Sequence, residues 1–176
     1  MSSRKKRILF CTEATYVSSG FGKYGHEVLK RLHEMDKYEL AEHATYGKMG
    51  DPQAQNIPWM WYPNQPLPTE KEEWEKYGSA PVNQFGKWRF ERVLIDFKPD
   101  IVWDIRDHWM QSFQKDSPFR RLFHWAIMPT IDSYPQKLEW INTFADADGV
   151  LAYEDFGMET LDRQGGDKIN LITTAS

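Results

Sequence analysis

Apolar residues fall along the chain in short unbroken runs, separated by stretches in which they recur every three or four positions. Arg7-Ile8-Leu9-Phe10-Cys11-Thr12 is the first run and predicts a buried strand. Phe21, Tyr24, Val28, Leu29, Leu32 and Met35 follow at helical spacing, behind the opening Gly20-Phe21-Gly22. Gly25 lies on the same stripe, where a missing side chain lets a helix approach a sheet closely. Tyr38–Thr45 reads as a second strand, interrupted by Glu39, Glu42 and His43. Residues 83–97 put Phe90, Val93, Leu94 and Phe97 on one helical face, ended by Lys98-Pro99. Strands are predicted over Asp100–Ile105, over Phe123–Met128 before Pro129, and over Gly149–Tyr153. Leu138, Ile141 and Phe144 mark a helix within 136–145. Asp155 is placed to cap a helix over 156–163 that Gly165-Gly166 stops, and Lys168–Ile172 makes a last strand. Strands alternating with helices predict an α/β fold: a Rossmann-like open parallel sheet with helices on both faces.

Residues 47–82 break this rhythm. Six of the ten prolines lie there (Pro52, Pro58, Pro63, Pro66, Pro68, Pro81), around Trp59-Met60-Trp61-Tyr62. A strand over 57–62 and a short acidic helix over 69–77 fit the pattern, and the rest reads as loop. Long irregular excursions in compact domains are often functional. This one reads as a semi-ordered flap beside a binding crevice, in which Trp59, Trp61 and Tyr62 offer flat faces for a ligand ring. The competing reading is a hydrophobic lid fixed on the sheet edge, or a docking surface for another domain.

Composition narrows the class. At 176 residues the chain is expected to be one domain over 1–176, and 40% hydrophobic with 27% charged residues is ordinary for a soluble globular protein. The single Cys11 excludes an internal disulfide and a cysteine-rich zinc site, and fits a reducing, cytoplasmic setting. No apolar run approaches the roughly 20 residues that span a bilayer, so no transmembrane segment is expected. A net charge of −4 gives no global basic field to recruit nucleic acid. The basic run Arg4–Arg7 reads as a solvated tail. Aromatics are abundant, with 8 Trp and 8 Tyr against 10 Phe. Side chains with one apolar and one polar end suit carbohydrate and protein interfaces as well as cores.

In open α/β sheets ligands bind beyond the carboxyl ends of the strands. Ser18-Ser19-Gly20-Phe21-Gly22-Lys23 follows the first strand and puts glycines, hydroxyls and a lysine at a helix N-terminus, a natural anion site. Asp104, Arg106, Asp107 and His108 follow the strand at 101; Thr130, Asp132, Ser133 and Tyr134 follow the strand at 123; Glu154 and Asp155 follow the strand at 150. Asp104, Asp107 and His108 read equally as a solvated strand-end cluster. Gly20-x-Gly22-x-x-Gly25 formally matches the dinucleotide fingerprint, with Glu42 near the ribose-binding position, but seven residues separate Thr12 from Gly20 where a tight turn is needed. His26, His33 and His43 read as surface or packing residues, no His, Asp or Glu pair has metal-binding spacing, and no nucleophile elbow is present.

The chain resembles the N-terminal domain of a GT-B glycosyltransferase of the large retaining group called family four. The resemblance is carried by Ile8-Leu9-Phe10-Cys11 with Ser19-Gly20-Phe21-Gly22-Lys23-Tyr24 and His26–Leu32, by Lys98-Pro99-Asp100-Ile101-Val102-Trp103, and by Ala145–Ala152 with Phe156-Gly157 and Leu161. It implies a two-domain enzyme that moves a sugar from a nucleotide-sugar donor to a sugar, lipid or other acceptor, without a metal or other cofactor. This half would hold the acceptor, and the loop Ser19, Gly20, Phe21, Gly22 and Lys23 would approach the donor diphosphate. Asp104, Asp107, His108, Ser133, Glu154, Trp59, Trp61 and Tyr62 are the acceptor-side candidates. The family places a histidine after a central strand; here that region reads Met128-Pro129-Thr130-Ile131-Asp132, which makes Asp132 the positional candidate for catalysis. The nucleotide-binding domain is expected to be absent, with Thr173–Ser176 where the family's interdomain linker begins, and the chain alone is expected to be inactive. The alternatives are a stand-alone nucleotide- or dinucleotide-binding domain, and a non-enzymatic sugar- or protein-binding module.

Overall fold

The computed structural model describes residues 4–174. The first apolar run forms strand β1 (Lys6–Glu13), and the stripe behind it forms helix α1 (Gly20–Glu34). Strand β2 (Tyr38–Lys48) runs past the predicted end, and strand β3 (Met60–Gln65) and helix α2 (Lys71–Gly78) arise within the excursion. The long helix expected over 83–97 is broken. Pro81–Phe85 and Lys87–Arg89 are 3-10 turns on either side of Gly86, and only α3 (Phe90–Phe97) is α-helical. Gly86 has φ +107°, and a Cβ there would strike the His43 ring, so backbone conformation and space both call for glycine.

The second half alternates as the pattern predicts. Strand β4 (Ile101–Asp104) is followed by α4 (His108–Gln111), β5 (His124–Ile127), α5 (Leu138–Ala145), β6 (Gly149–Ala152), α6 (Asp155–Gly165) and β7 (Leu171–Thr174). Asp155 is the first residue of α6 rather than its cap; Glu154 takes the cap position without a side-chain bond. Of the expected linker, Thr173 and Thr174 belong to β7, and Ala175 and Ser176 lie outside the described residues.

All strands are parallel in the order β3-β2-β1-β4-β5-β6-β7. Alternation along β1 divides the core. Leu9 and the Cys11 thiol, both without solvent exposure, face Phe90, Val93 and Phe97 of α3, Phe144 of α5 and Leu161 of α6. Ile8 and Phe10 face the other way, onto Leu29 of α1 and Trp59. Burial of each such large side chain contributes about 1.5–3 kcal/mol. Helices therefore cover both faces, α1 on one and α3, α5 and α6 on the other, the α/β Rossmann-like arrangement expected.

The basic run is largely exposed, as expected, but it is ion-paired rather than a free tail, and Lys6 and Arg7 already belong to β1. Both guanidinium nitrogens of Arg4 bond the Asp100 carboxylate at 2.7 Å, Arg7 N–H donates to the same group, and the Arg7 side chain meets Glu39. These donors hold the Asp100 carboxyl well below the usual carboxylate range, the Arg4 hydrogen bond first among them. In the excursion the three aromatics part. Trp59 is buried against His26 and His33 of α1, with ring centroids at 5.9 and 6.3 Å, which removes it as a sugar-stacking surface. Tyr62 bonds Asp96 at 2.5 Å, and Trp61 sits beside Tyr16 at 6.1 Å, both half-buried on β3 at the sheet edge.

Candidate functional site

Strand order reverses at β1, which has β2 on one side and β4 on the other. Crevices open at such switch points, beyond the strands' carboxyl ends. A cavity of about 560 Å³ lies there, between the N-terminus of α1, the loop after β5 and the N-terminus of α6. Its lining includes Glu13 at the end of β1, Ser19, Gly20 and Phe21 before and within α1, Thr130 after β5, and Glu154 before α6. Tyr24 and Tyr153 line it as well, in edge-to-face contact at 5.3 Å. Tyr153 donates its hydroxyl to the Ile105 carbonyl at 2.8 Å, and burial pushes its phenol pKa up.

The loop 14–19 is held by a buried carboxylate. Glu42 on β2 accepts from Thr15 N–H and the Thr15 hydroxyl, both at 2.8 Å, and from Trp59 Nε1 at 2.9 Å. Burial raises the Glu42 pKa, and the Trp59 and Thr15 donors oppose that rise. Glu42 is thus an anchor for the loop. A fully buried carboxylate with its acceptors engaged is out of reach of a ribose, which removes the acid that the dinucleotide reading needs.

At the start of α1, the Ser19 hydroxyl oxygen accepts from Gly22 N–H at 3.0 Å. Among the described residues no protein acceptor is found for the Gly20 and Phe21 N–H groups, which lie at the positive end of a 15-residue helix. Gly22 does not face the cavity with open space. A Cβ there would stand 2.6 Å from the Val17 carbonyl oxygen and 3.0 Å from that of Ala14. Gly25 serves close helix–sheet approach, as its position suggested, with Thr12 2.9 Å from where its Cβ would be. Lys23 is exposed on α1 and does not line the cavity.

The other candidates separate. Asp107 sits at the rim, half-buried, near Thr130, Asp132 and Glu13. Burial raises its pKa, the Thr130 hydrogen bond opposes this, and the Asp132 and Glu13 charges raise it further. Asp132 and Ser133 are exposed on the loop that also carries Thr130 and Ile131. Asp104 is removed from the crevice: it has no solvent exposure and pairs with Arg106, which also bonds Thr45 and the Phe85 carbonyl. Gln114 donates to Asp104 at 2.8 Å and completes this buried network. His108 is turned towards α5 and packs on Trp140 with ring centroids 4.0 Å apart. Glu13, Tyr24 and Tyr153 were missed as site residues. Glu13 ends β1 and Tyr153 follows β6, where the strand-end rule applied to every boundary residue finds them, whereas Tyr24 lies one turn inside α1, beyond that rule.

Neither the protein-family models nor the curated proteins include a match to this chain. Among solved structures, the UDP-GlcNAc 2-epimerase of Methanocaldococcus jannaschii matches with a TM-score of 0.56 and 14% identity. The fold is Rossmann-like and matches a GT-B-like neighbour. That likeness covers 97% of this chain and 45% of the epimerase, so the chain spans under half of that protein's length. At this identity the likeness is one of fold. Among the described residues no helix is long and apolar enough to cross a membrane.

Proposed function

We propose that this chain is the acceptor-binding half of an enzyme that transfers a sugar from a nucleotide-sugar donor to an acceptor. The observation that carries this reading is the crevice at the strand-order switch, whose lining combines two kinds of group. One is the N-terminus of α1, with the Gly20 and Phe21 N–H groups free to meet the donor's diphosphate. The other is the pair of carboxylates Glu13 and Glu154, with Tyr24 and Tyr153 to stack on a sugar ring. On this reading Asp107 or Asp132 takes the proton that the acceptor hydroxyl loses as the new glycosidic bond forms, a role that the raised pKa of Asp107 suits. A second domain then supplies the nucleotide site and the cations that steady the departing diphosphate, a role that protein groups fill without a metal.

Two measurements test the reading. The 176-residue chain alone, mixed with nucleotide sugar and acceptor, is expected to release no product. Turnover proportional to its concentration refutes the half-enzyme reading. A nucleoside diphosphate sugar is expected to perturb the Gly20 and Phe21 amide signals in a nuclear magnetic resonance titration. Saturable binding of a nicotinamide dinucleotide at the same amides, with no response to the nucleotide sugar, favours the stand-alone dinucleotide module instead. The neighbour's own activity favours one further reading, in which the crevice carboxylates move protons at a carbon of a nucleotide sugar and no acceptor is bound. Isomerised nucleotide sugar in the presence of a second domain, without an acceptor, would identify it.

A further inference from the structure

The crevice also has a sign. Glu13 and Glu154 line it, and no lysine, arginine or histidine does. Asp107 and Asp132 add two carboxylates at the rim, and none of the four is in an ion pair among the described residues. The guanidinium that follows β4, that of Arg106, is fully buried and engaged by Asp104. The one cation that Glu13 feels among the described residues, Arg106, is already neutralised by Asp104, so the carboxylates repel, and the upward push of Asp132 and Glu13 on the Asp107 carboxyl is the trace of that repulsion. A bound cation relieves it.

The cavity decides what kind of cation fits. Among the described residues no three His, Cys, Asp or Glu side chains stand close enough to share one metal ion, so the negative charge is spread along the cavity rather than focused. Besides Glu13 and Glu154 the lining is largely aromatic, with Phe21, Tyr24 and Tyr153. Such faces attract organic cations within about 6 Å and offer flat apolar area to a ring. At about 560 Å³ the space is that of a small organic ligand.

Resting on the transfer reading above, we propose that the acceptor held in this crevice is an amine-bearing sugar or cyclitol. Its ammonium group sits against Glu13, Asp107 and Asp132, its ring lies on Tyr24 and Tyr153, and acceptors carrying a carboxylate or phosphate are repelled. The two kinds of lining group then sort the reactants by charge. The N-terminus of α1 draws the anionic donor, and the carboxylate wall draws the cationic acceptor. Neither reactant occupies the other's place.

The test uses the full chain and three probes: a glucosamine disaccharide, its N-acetylated neutral counterpart, and glucuronic acid. The Tyr24 and Tyr153 ring signals report on the crevice. The amine is expected to bind at least about tenfold more tightly than the neutral disaccharide at low salt, with glucuronic acid the weakest. That advantage should shrink in about 1 M salt, where the Debye length is about 3 Å. Asp107→Asn combined with Asp132→Asn is expected to abolish the difference between the two probes, so that the amine and the neutral disaccharide bind alike. Glu154→Gln, on an exposed position, gives a smaller loss in the same direction should the double variant fold poorly. Equal or tighter binding of the neutral disaccharide at these tyrosines overturns the charge inference and leaves the transfer reading standing. An amine preference that survives the substitutions, or amine binding that spares the tyrosines, overturns it too. If no sugar of any charge perturbs Tyr24 and Tyr153, acceptor binding itself is wrong and both proposals fall.

Discussion

Gly22→Ala separates a glycine kept for its ligand from a glycine kept for its own loop. From the sequence, Gly22 was expected to let a phosphate or sugar approach, so a side chain there would obstruct ligand more than fold. The geometry reverses that expectation. The added Cβ would lie 2.6 Å from the Val17 carbonyl oxygen, 2.9 Å from Val17 Cγ2 and 3.0 Å from the Ala14 carbonyl oxygen. Two of these three atoms are backbone, and the Val17 N–H to Ala14 O bond of 2.8 Å fixes them in one turn. They cannot swing aside as a side chain does. Overpacking of this kind costs about 1–3 kcal/mol. Alanine returns up to about 1 kcal/mol of helix propensity in a helix interior, and less in the first turn. A net loss of about 1–2 kcal/mol follows, read as a lower urea midpoint with unchanged slope. Gly20→Ala is the control, because nothing lies within 4 Å of its Cβ position, and it should stay within about 0.5 kcal/mol of the parent. If Gly22→Ala matched Gly20→Ala in stability and only ligand binding suffered, the packing account of this glycine would be wrong.

Two further substitutions test the buried polar groups. Burial, with Arg106 and Arg89 nearby, depresses the His43 pKa to about 3. The unfolded chain takes up that proton below about pH 6.5, so the stability His43 contributes is complete above that pH and is lost as pH falls towards 3. The slope is about 1.4 kcal/mol per pH unit. His43→Phe should flatten chemical-denaturation stability against pH in that window by one proton's worth, and an unchanged slope would show that His43 is not held neutral. Arg106→Met strands the buried Asp104 carboxylate, and a loss of about 3–5 kcal/mol in the urea midpoint analysis is expected. The pair Asp104→Leu with Arg106→Met should recover part of it, whereas a double variant worse than the single one would refute the account of a lone buried charge.

What could be read from the sequence follows from what each residue depends on. The strand at Ile8–Cys11 and the stripe Tyr24–Leu32 were legible because their pattern reflects the sheet and helix that they themselves form. Strand β2 was doubtful because Glu42 and His43 lie in its middle. Both are core residues, one held by Thr15 and Trp59 and the other stacked on Phe90 at 6.3 Å, and neither partner is near in sequence. Strand β3 was expected over 57–62 and lies at Met60–Gln65, where an edge strand tolerates Pro63. Asp104 was taken for a strand-end ligand because only the chain's fold-back shows Arg106 turning two residues later to cover it. In the crevice, Ser19, Gly20, Phe21 and Glu154 were legible from strand-end position. The negative sign of its walls came from Glu13 and Asp107 meeting across different strand ends, a convergence that no local pattern records.

The position of Cys11 has a practical consequence. Its thiol lies at the middle of the sheet, with His43 of β2 and Asp104 of β4 as its neighbours in register, and burial pushes its pKa up. A thiol reagent added to the native protein can therefore react only when the helix-covered face of the sheet, packed with Phe90, Val93 and Phe97, has opened. Labelling in plain buffer counts those rare openings, with no denaturant and no introduced probe. Because the chain has one cysteine, every modified molecule is one in which that core face was opened. The mass spectrum of a timed reaction becomes a direct record of how often the helices part from this sheet.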